Sequence, residues 1–156
     1  MAKKPKPDDA VCRNKKAAYR FEVIERLECG LVLRGSEVKS LRERNVSIDE
    51  AYALIDEGEL WLIGCHIAAY EFDHVRKPEP LRRRKLLARS REIAKLKTRV
   101  EQKGLTLVPL RVYFNDRGLA KVTLGVVRGK KGADKREDLK ARDAKREIER
   151  AMRSKG

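Results

Sequence analysis

Polar and apolar side chains alternate in several short stretches of the chain, and this period of two is typical of half-buried strands. One stretch begins near Tyr19, and Gly30 is expected to interrupt it before a second short strand at 31–33. Apolar runs at 52–55 and 60–63 flank the sequence Asp-Glu-Gly-Glu, which predicts a hairpin whose second strand can extend to Ile67. The first half of the chain is therefore predicted to be mainly β-structure.

Two segments instead have apolar side chains three and four residues apart, the spacing of a helix. Ser36 can cap a short helix, and Glu37 suits the positive end of its dipole. Cationic side chains around this helix remain free to meet phosphate. A longer helix is predicted to begin at Ser90 and to end at Gly104, a residue that favours the left-handed terminating conformation.

A second hairpin is predicted near the end of the core, where residues 106–114 and 119–127 flank an Asn-Asp-Arg-Gly turn. Residues 73–84 combine Pro78 and Pro80 with a basic cluster, so an exposed loop is expected there. Strands do not alternate with long helices. The predicted fold class is therefore mainly β with short helices, arranged as a closed or partly closed barrel.

The two ends of the chain lack the apolar content of a core. Residues 1–11 are expected to form a flexible N-terminal arm, residues 12–128 the barrel, and residues 129–156 a basic C-terminal tail. Oppositely charged side chains in the tail lie four residues apart, which favours a helix that becomes ordered on a partner.

The charge balance indicates that the predicted barrel belongs to a binding protein. Lys and Arg number 39 against 24 Asp and Glu, a net charge of +15, and the expected partner is a polyanion. No apolar run reaches the roughly 18 residues of a membrane-spanning helix, so a spanning role is excluded. The N-terminus lacks the apolar stretch of a secretory signal, and a cytoplasmic location is expected.

Catalytic and metal chemistry are not indicated. The cysteines Cys12, Cys29 and Cys65 are odd in number and lack the close pairing of a structural zinc site, so they are interpreted as small buried side chains. His66 and His74 have no identifiable partners for acid–base work. We expect no enzyme activity, no metal and no cofactor.

Residues 30–42, with the sequence GLVLRGSEVKSLR, resemble the SmpB (small protein B) family, the SsrA-binding proteins of bacteria. Further blocks occur in that family's order and approximate spacing, and together they span nearly the whole chain. These blocks are 14–17, 84–87, 103–110, 129–131 and 134–136.

The resemblance implies an oligonucleotide-binding (OB)-type barrel that holds the tRNA-like domain of transfer-messenger RNA (SsrA). It implies delivery of that RNA to stalled ribosomes for trans-translation, which rescues the ribosome and tags the incomplete protein. The tail would engage the empty mRNA channel and the decoding centre of the small subunit, helical when bound. Elongation factor Tu and alanyl-tRNA synthetase would be reached indirectly, through the shared RNA.

The resemblance also assigns site residues, with RNA-binding positions in the barrel and ribosome-binding positions in the tail. The RNA-binding positions are Asn14, Lys15, Glu28, Glu37, Lys39, Arg42, Arg84, Lys85, Leu87 and Lys121. The tail positions are Gly129, Lys130, Lys131, Asp134, Lys135 and Arg136. Gly132 and Ala133 stand where many family members carry an aromatic residue or His, so base stacking is not expected there.

Several of these positions have a structural alternative. Glu37 could serve only as a helix-terminus carboxylate, Leu87 as a core residue, and Lys39 with Arg42 as a solvated helix face. For the whole protein, the alternative is a generic RNA-binding ribosomal or ribosome-assembly protein with a basic tail.

Overall fold

The computed structural model describes residues 10–70 and 78–129 together with the tail positions Arg146, Ile148 and Arg150. Within the described part of residues 10–129 the chain forms nine strands and three helices. In chain order they are β1 (Ala10–Arg13), α1 (Ala17–Arg20), β2 (Phe21–Leu31), α2 (Gly35–Arg42), β3 (Val46–Ser47), β4 (Tyr52–Asp56), β5 (Glu59–Ile63), β6 (His66–Ile67), β7 (Arg84–Leu87), α3 (Ser90–Lys103), β8 (Thr106–Phe114) and β9 (Ala120–Gly129).

Six antiparallel strands close into a barrel in the order β8-β4-β5-β7-β2-β9, and β9 pairs back onto β8. The ladders of β9 with β2 and with β8 are long, whereas β4 meets β8 at the single pair Ala53–Leu107. Strand β1 pairs with the other end of β8. The predicted fold class, a mainly β barrel with short helices, is confirmed.

The barrel is filled by side chains that point inward at every second strand position. Leu60, Leu62, Leu86 and Leu124 are among those fully or almost fully buried. Each such leucine stabilises the fold by about 1.5–3 kcal/mol relative to an exposed side chain. Helix α3 adds Leu96 to the same core, so the helix packs against the barrel through its apolar stripe.

Both predicted hairpins are present. The turn between β4 and β5 has positive φ at Glu57 (51°) and Gly58 (76°), the pair of left-handed residues that a two-residue hairpin favours. Between β8 and β9, the Asn115 side chain accepts hydrogen bonds from the backbone N–H groups of Arg117 (3.0 Å) and Leu119 (2.9 Å). The predicted extension of β5 to Ile67 is wrong, since β5 ends at Ile63 and β6 pairs with β3 instead.

The prediction that Gly30 interrupts the first strand is also wrong. Strand β2 runs without a break from Phe21 to Leu31, and Gly30 pairs with both Leu87 of β7 and Lys121 of β9. A Cβ atom at Gly30 would lie 3.2 Å from the Cβ of Leu87. This glycine therefore permits the close approach of β7 rather than a turn.

Three boundaries differ from the sequence prediction. Strand β1 begins at Ala10, inside the predicted arm, because its backbone pairs with β8. Helix α2 has Arg34 rather than Ser36 at its N-cap. Arg84 lies in β7 and not in an exposed loop. The predicted α3 is confirmed, with Gly104 in the left-handed conformation (φ 61°) just after it.

The ends of the chain lie largely outside the described residues, as do positions 71–77. Of the predicted tail helix, Arg146, Ile148 and Arg150 are helical and exposed, and the tail's other predicted features are not among the described positions. Within the described part, no helix combines the length and apolar character needed to cross a membrane.

Candidate nucleic-acid interface

A buried ionic cluster fixes the N-terminal end of α2. The Glu37 carboxylate accepts hydrogen bonds from the Arg34 backbone N–H (2.9 Å), the Arg82 Nε (3.2 Å) and the Arg84 Nε (2.7 Å). Arg84 is fully buried and also donates to the carbonyl oxygens of Cys65 and Pro80. Burial alone would raise the pKa of Glu37, but the hydrogen bonds from Arg82, the Arg34 N–H and Arg84 outweigh it and lower that pKa.

Glu37 and Arg84 were expected to contact RNA, and in the structure both side chains lie inside the protein. Glu37 is 3% exposed and Arg84 is 0% exposed, so neither side chain faces solvent. Their role in the structure is to hold α2 against the segment that precedes β7. Glu37 therefore takes the structural alternative, that of a helix-terminus carboxylate. Arg82, its second cationic partner, was not identified from the sequence because the partners lie 45 positions apart.

Asn14 is likewise internal, although it was expected at the RNA surface. Its Nδ2 donates to the carbonyl oxygen of Pro109 (3.0 Å), and its Oδ1 accepts from the backbone N–H of Ala17 (3.1 Å). The side chain thus joins the end of β1 to α1 and β8. The neighbouring Lys15 is exposed, so the cation of this pair faces outward.

The outer side of α2 carries exposed cations that are held by aromatic rings. The Arg42 guanidinium lies 4.4 Å from the centroid of the Phe114 ring, and the Lys39 Nζ lies 5.3 Å from that of Tyr70. Within the described part of the chain neither cation pairs with a carboxylate. Stacking orients Arg42 without neutralising it, which leaves its charge available to phosphate. We call Lys39 and Arg42 the α2 surface.

A second outer surface is formed where β7, β2 and β9 meet, and we call Glu28, Leu87 and Lys121 the β2 surface. Because Gly30 pairs with both Leu87 and Lys121, these two side chains flank a position that has no side chain of its own. Leu87 is 52% exposed. The alternative that Leu87 is a core residue is therefore wrong, since its neighbour Leu86 takes the inward position.

Glu28 is held in place on this surface by two hydroxyl groups. Its carboxylate accepts hydrogen bonds from Thr123 Oγ1 (2.9 Å) and from the Tyr113 hydroxyl. Burial and the bond to Glu28 raise the pKa of Tyr113, so the phenol keeps its proton and remains a donor. Arg111 stacks on Tyr113 at 4.4 Å and donates to Thr123 (2.9 Å). The supporting residues Thr123, Tyr113 and Arg111 were missed from the sequence, although the strand register brings them together.

Glu28 and Leu87 also line one shallow cavity with Ala88, Arg89 and Glu92 at the start of α3. An apolar wall, two carboxylates and the cation Arg89 suit an unstacked base, because a carboxylate can accept hydrogen bonds from exocyclic amines. This combination of side chains carries the chemistry of base recognition rather than charge neutralisation alone.

Lys85 lies on the same outer face of β7 as Leu87, two residues before it, and it also has a carboxylate partner. Its Nζ lies 3.0 Å from the Glu59 carboxylate, and in the strand register Lys85 faces Trp61. Arg83 stacks on the same Trp61 ring at 4.1 Å. Lys85 therefore belongs to the outer face of β5 and β7, where a carboxylate already neutralises it.

Of the predicted ribosome-binding residues in the tail, only Gly129 lies among the described residues. It is exposed and ends β9, paired with Phe21. Lys130, Lys131, Asp134, Lys135 and Arg136 lie outside the described residues, as do Gly132 and Ala133. Gly129, predicted to be the first residue of the tail, is thus the last residue of β9.

The cysteines do not form a reactive or metal-binding group within the described residues. Cys29 and Cys65 are fully buried, as predicted, and Cys12 is half-buried. Burial raises the pKa of Cys29 to about 12 and that of Cys65 to about 11, so both remain thiols at neutral pH. Across the described positions, no group of three or more His, Cys, Asp or Glu side chains is placed to hold a metal ion.

An antiparallel barrel with a strongly basic composition, exposed cations on aromatic supports and a carboxylate-lined cavity defines a small basic barrel of the nucleic-acid-binding class. The chain belongs to the SmpB family, because the model of that family, described as SmpB protein, matches residues 11–154. The resemblance seen in the sequence is thereby confirmed.

Relatives of known name match almost the whole chain. It is 50% identical over 145 residues to the SsrA-binding protein of Rhodopirellula baltica, covering 93% of this chain and 82% of the relative. It is 51% identical over 146 residues to that of Chelativorans sp., covering 94% of each. A solved chain described as "tmRNA-SmpB: a journey to the center of the bacterial ribosome" is 45% identical, with a TM-score of 0.66, covering 81% of this chain and 92% of that one.

Proposed function

We propose that this protein binds the tRNA-like domain of transfer-messenger RNA and delivers it to stalled ribosomes for trans-translation. The observation that carries the proposal is its likeness, over more than nine-tenths of its length, to proteins named SsrA-binding protein. The solved relative, described by the words tmRNA-SmpB and bacterial ribosome, supports the same two partners.

The two surfaces divide the work of holding the RNA. On the β2 surface, Leu87 packs against an unstacked base, Glu28 accepts from a base amine, and Lys121 meets a phosphate. On the α2 surface, Lys39 and Arg42 neutralise backbone phosphates, and Lys15 adds a further exposed cation. The buried residues Asn14, Glu37 and Arg84 position these groups and do not touch RNA.

The tail engages the ribosome. Gly129, Lys130 and Lys131 let the backbone and its cations approach ribosomal RNA phosphates closely, and Asp134, Lys135 and Arg136 continue this contact in the mRNA channel and decoding centre. Elongation factor Tu and alanyl-tRNA synthetase act on the same RNA and are reached through it. The protein works by binding, without turnover, and a ribosomal partner supports a cytoplasmic location.

A reconstituted translation reaction tests the proposal. Ribosomes stalled at the end of a truncated message are supplied with charged transfer-messenger RNA, with and without this protein. We expect the tag to be added to the incomplete chain only when the protein is present. Equal tagging in its absence would contradict the proposal.

A further inference from the structure

Helix α3 carries a ridge of four cations spaced four residues apart: Arg91, Lys95, Arg99 and Lys103. In a helix of 3.6 residues per turn, each step of four moves about 40° around the axis. The ridge therefore starts opposite the buried stripe that contains Leu96 and drifts toward one flank as it runs along the helix. Arg91, Lys95 and Lys103 are exposed, and Arg99 is half-buried.

Most of this ridge works against the stability of the helix that carries it, and only Lys103, in the last turn, suits the helix dipole. Like charges four residues apart repel each other across a turn, and the ridge contains three such pairs in succession. Arg91 also lies in the first turn, where the helix dipole favours acidic side chains. Among the described residues only Arg99 pairs with a carboxylate, that of Glu25 on β2. An arrangement that opposes local stability in this way indicates a use outside the fold.

The ridge runs from the cavity of the β2 surface to a groove near the end of β9. At the start of α3, Arg89 and Glu92 line the cavity of the β2 surface. At the other end, Arg99 and Lys103 line a groove with Arg128, the residue before Gly129. With 14 residues at 1.5 Å each, α3 spans about 21 Å between these places.

The β2 carboxylates at the far end of this path already pair with cations, whereas Glu92 near its start forms no ion pair among the described residues. Glu25 pairs with Arg99, and Glu22 lies 3.3 Å from a guanidinium nitrogen of Arg128. A polyanion that follows the ridge therefore meets unpaired cations at Arg91, Lys95 and Lys103 and no unpaired acid from β2 at its far end. Charge complementarity and continuity with the β2 surface both favour an RNA backbone as the occupant.

We propose that the α3 ridge is a third RNA contact, which carries the phosphate backbone of the tRNA-like RNA from the β2 surface toward the start of the tail at Gly129. This inference rests on the proposed function. It adds Arg91, Lys95 and Lys103 to the RNA-binding residues, and the resemblance assigned none of the three to RNA binding.

The test uses the full-length protein with Arg91, Lys95 and Lys103 all replaced by Gln, which removes three charges and keeps good helix formers. We expect the affinity for the tRNA-like RNA to fall on the order of tenfold at moderate salt. The slope of log affinity against log salt should become shallower by about 2, since each phosphate contact contributes about 0.7–0.9. The melting temperature should stay the same or rise, because three repulsive pairs are relieved.

Lys97 provides the matched control on the same helix. It lies on the opposite flank, beside Leu54 and Val100, so Lys97→Gln should bind like the wild type while Lys95→Gln binds more weakly. Equal losses of RNA affinity in the two variants would mean that only net charge matters, and this result would overturn the inference. Unchanged RNA affinity in the triple variant, with or without weaker ribosome binding, would also overturn it. If wild-type protein itself shows no preference for the tRNA-like RNA, the proposed function fails first.

Discussion

At the scale of single residues, Glu37 has the greatest structural consequence. A buried carboxylate bonded to two guanidinium groups and a backbone N–H cannot lose its charge without leaving Arg84 unpaired in the interior. We predict that Glu37→Gln lowers the free energy of unfolding by about 3 kcal/mol. Urea titration at neutral pH measures this change.

The same substitution has a predicted pH dependence. Because the folded pKa of Glu37 lies below its ordinary value of 4.5, the charged form stabilises the fold above that pH. The advantage of the wild type over Glu37→Gln should shrink as the pH falls below 4.5. Glu50→Gln is the control, since Glu50 pairs with Lys16 at the exposed surface, and it should unfold like the wild type. A Glu37→Gln deficit that persists unchanged down to pH 3 would contradict the cluster's ionic character.

A second prediction compares Leu86 and Leu87, two adjacent leucines of β7. Leu86 points into the core, and Leu87 points to the outer surface. Leu87→Ala should cost less than about 1 kcal/mol of stability because the side chain is half exposed. It should weaken binding of the tRNA-like RNA about fivefold through a lost apolar contact of roughly 1 kcal/mol. Leu86→Ala should instead destabilise the fold by about 2–5 kcal/mol. Calorimetry and RNA titration of both variants separate these effects, and unchanged RNA affinity in Leu87→Ala would remove Leu87 from the interface.

The residues whose roles the sequence predicted poorly are those with distant partners. Asn14 bonds Pro109, which is 95 positions away, and Arg84 bonds Glu37, which is 47 positions away. The local sequence pattern contains no signal for hydrogen bonds between residues so far apart. The family resemblance identified all three polar residues as important, but only the structure shows that they are internal supports.

At the scale of elements, helix α2 buries Leu41 in the core and exposes Lys39 and Arg42 on its outer side. We predict that replacing Lys39 and Arg42 together with Ala makes the salt dependence of RNA affinity shallower by about 1.5, since two phosphate contacts are lost. The control replaces Lys16 and Arg20 with Ala. These two cations are already paired with Glu50, so the slope of log affinity against log salt should stay unchanged. An unaltered slope in Lys39→Ala/Arg42→Ala would favour the solvated-face alternative.

Elements defined by local chemistry were predicted well. The turn at Asn115 and Gly118 and the helix ended by Gly104 each depend on residues within a few positions. Strand β7 and the unbroken β2 were not predicted. Gly30 does not turn its own strand, and its missing side chain instead leaves room for β7 to pair beside it. A glycine permits either role, and the choice is made by tertiary pairing.

At the scale of the whole molecule, we propose a division between a barrel that binds RNA and a tail that engages the ribosome. We predict that removing residues 130–156, which keeps β9 complete to Gly129, leaves affinity for transfer-messenger RNA within about threefold of the wild type. The α2, β2 and α3 contacts all remain in the truncated chain. Tagging on stalled ribosomes should be abolished. Loss of RNA binding in this truncation would refute the division.

The most direct test of the central claim is selectivity between RNAs. The full-length protein is titrated at moderate salt with the tRNA-like domain of transfer-messenger RNA and with an unrelated RNA of equal length. Shape and base contacts on the β2 surface predict tight binding of the first and weak binding of the second. Equal affinities would contradict the account and would favour a generic RNA-binding ribosomal or assembly protein that reads charge alone.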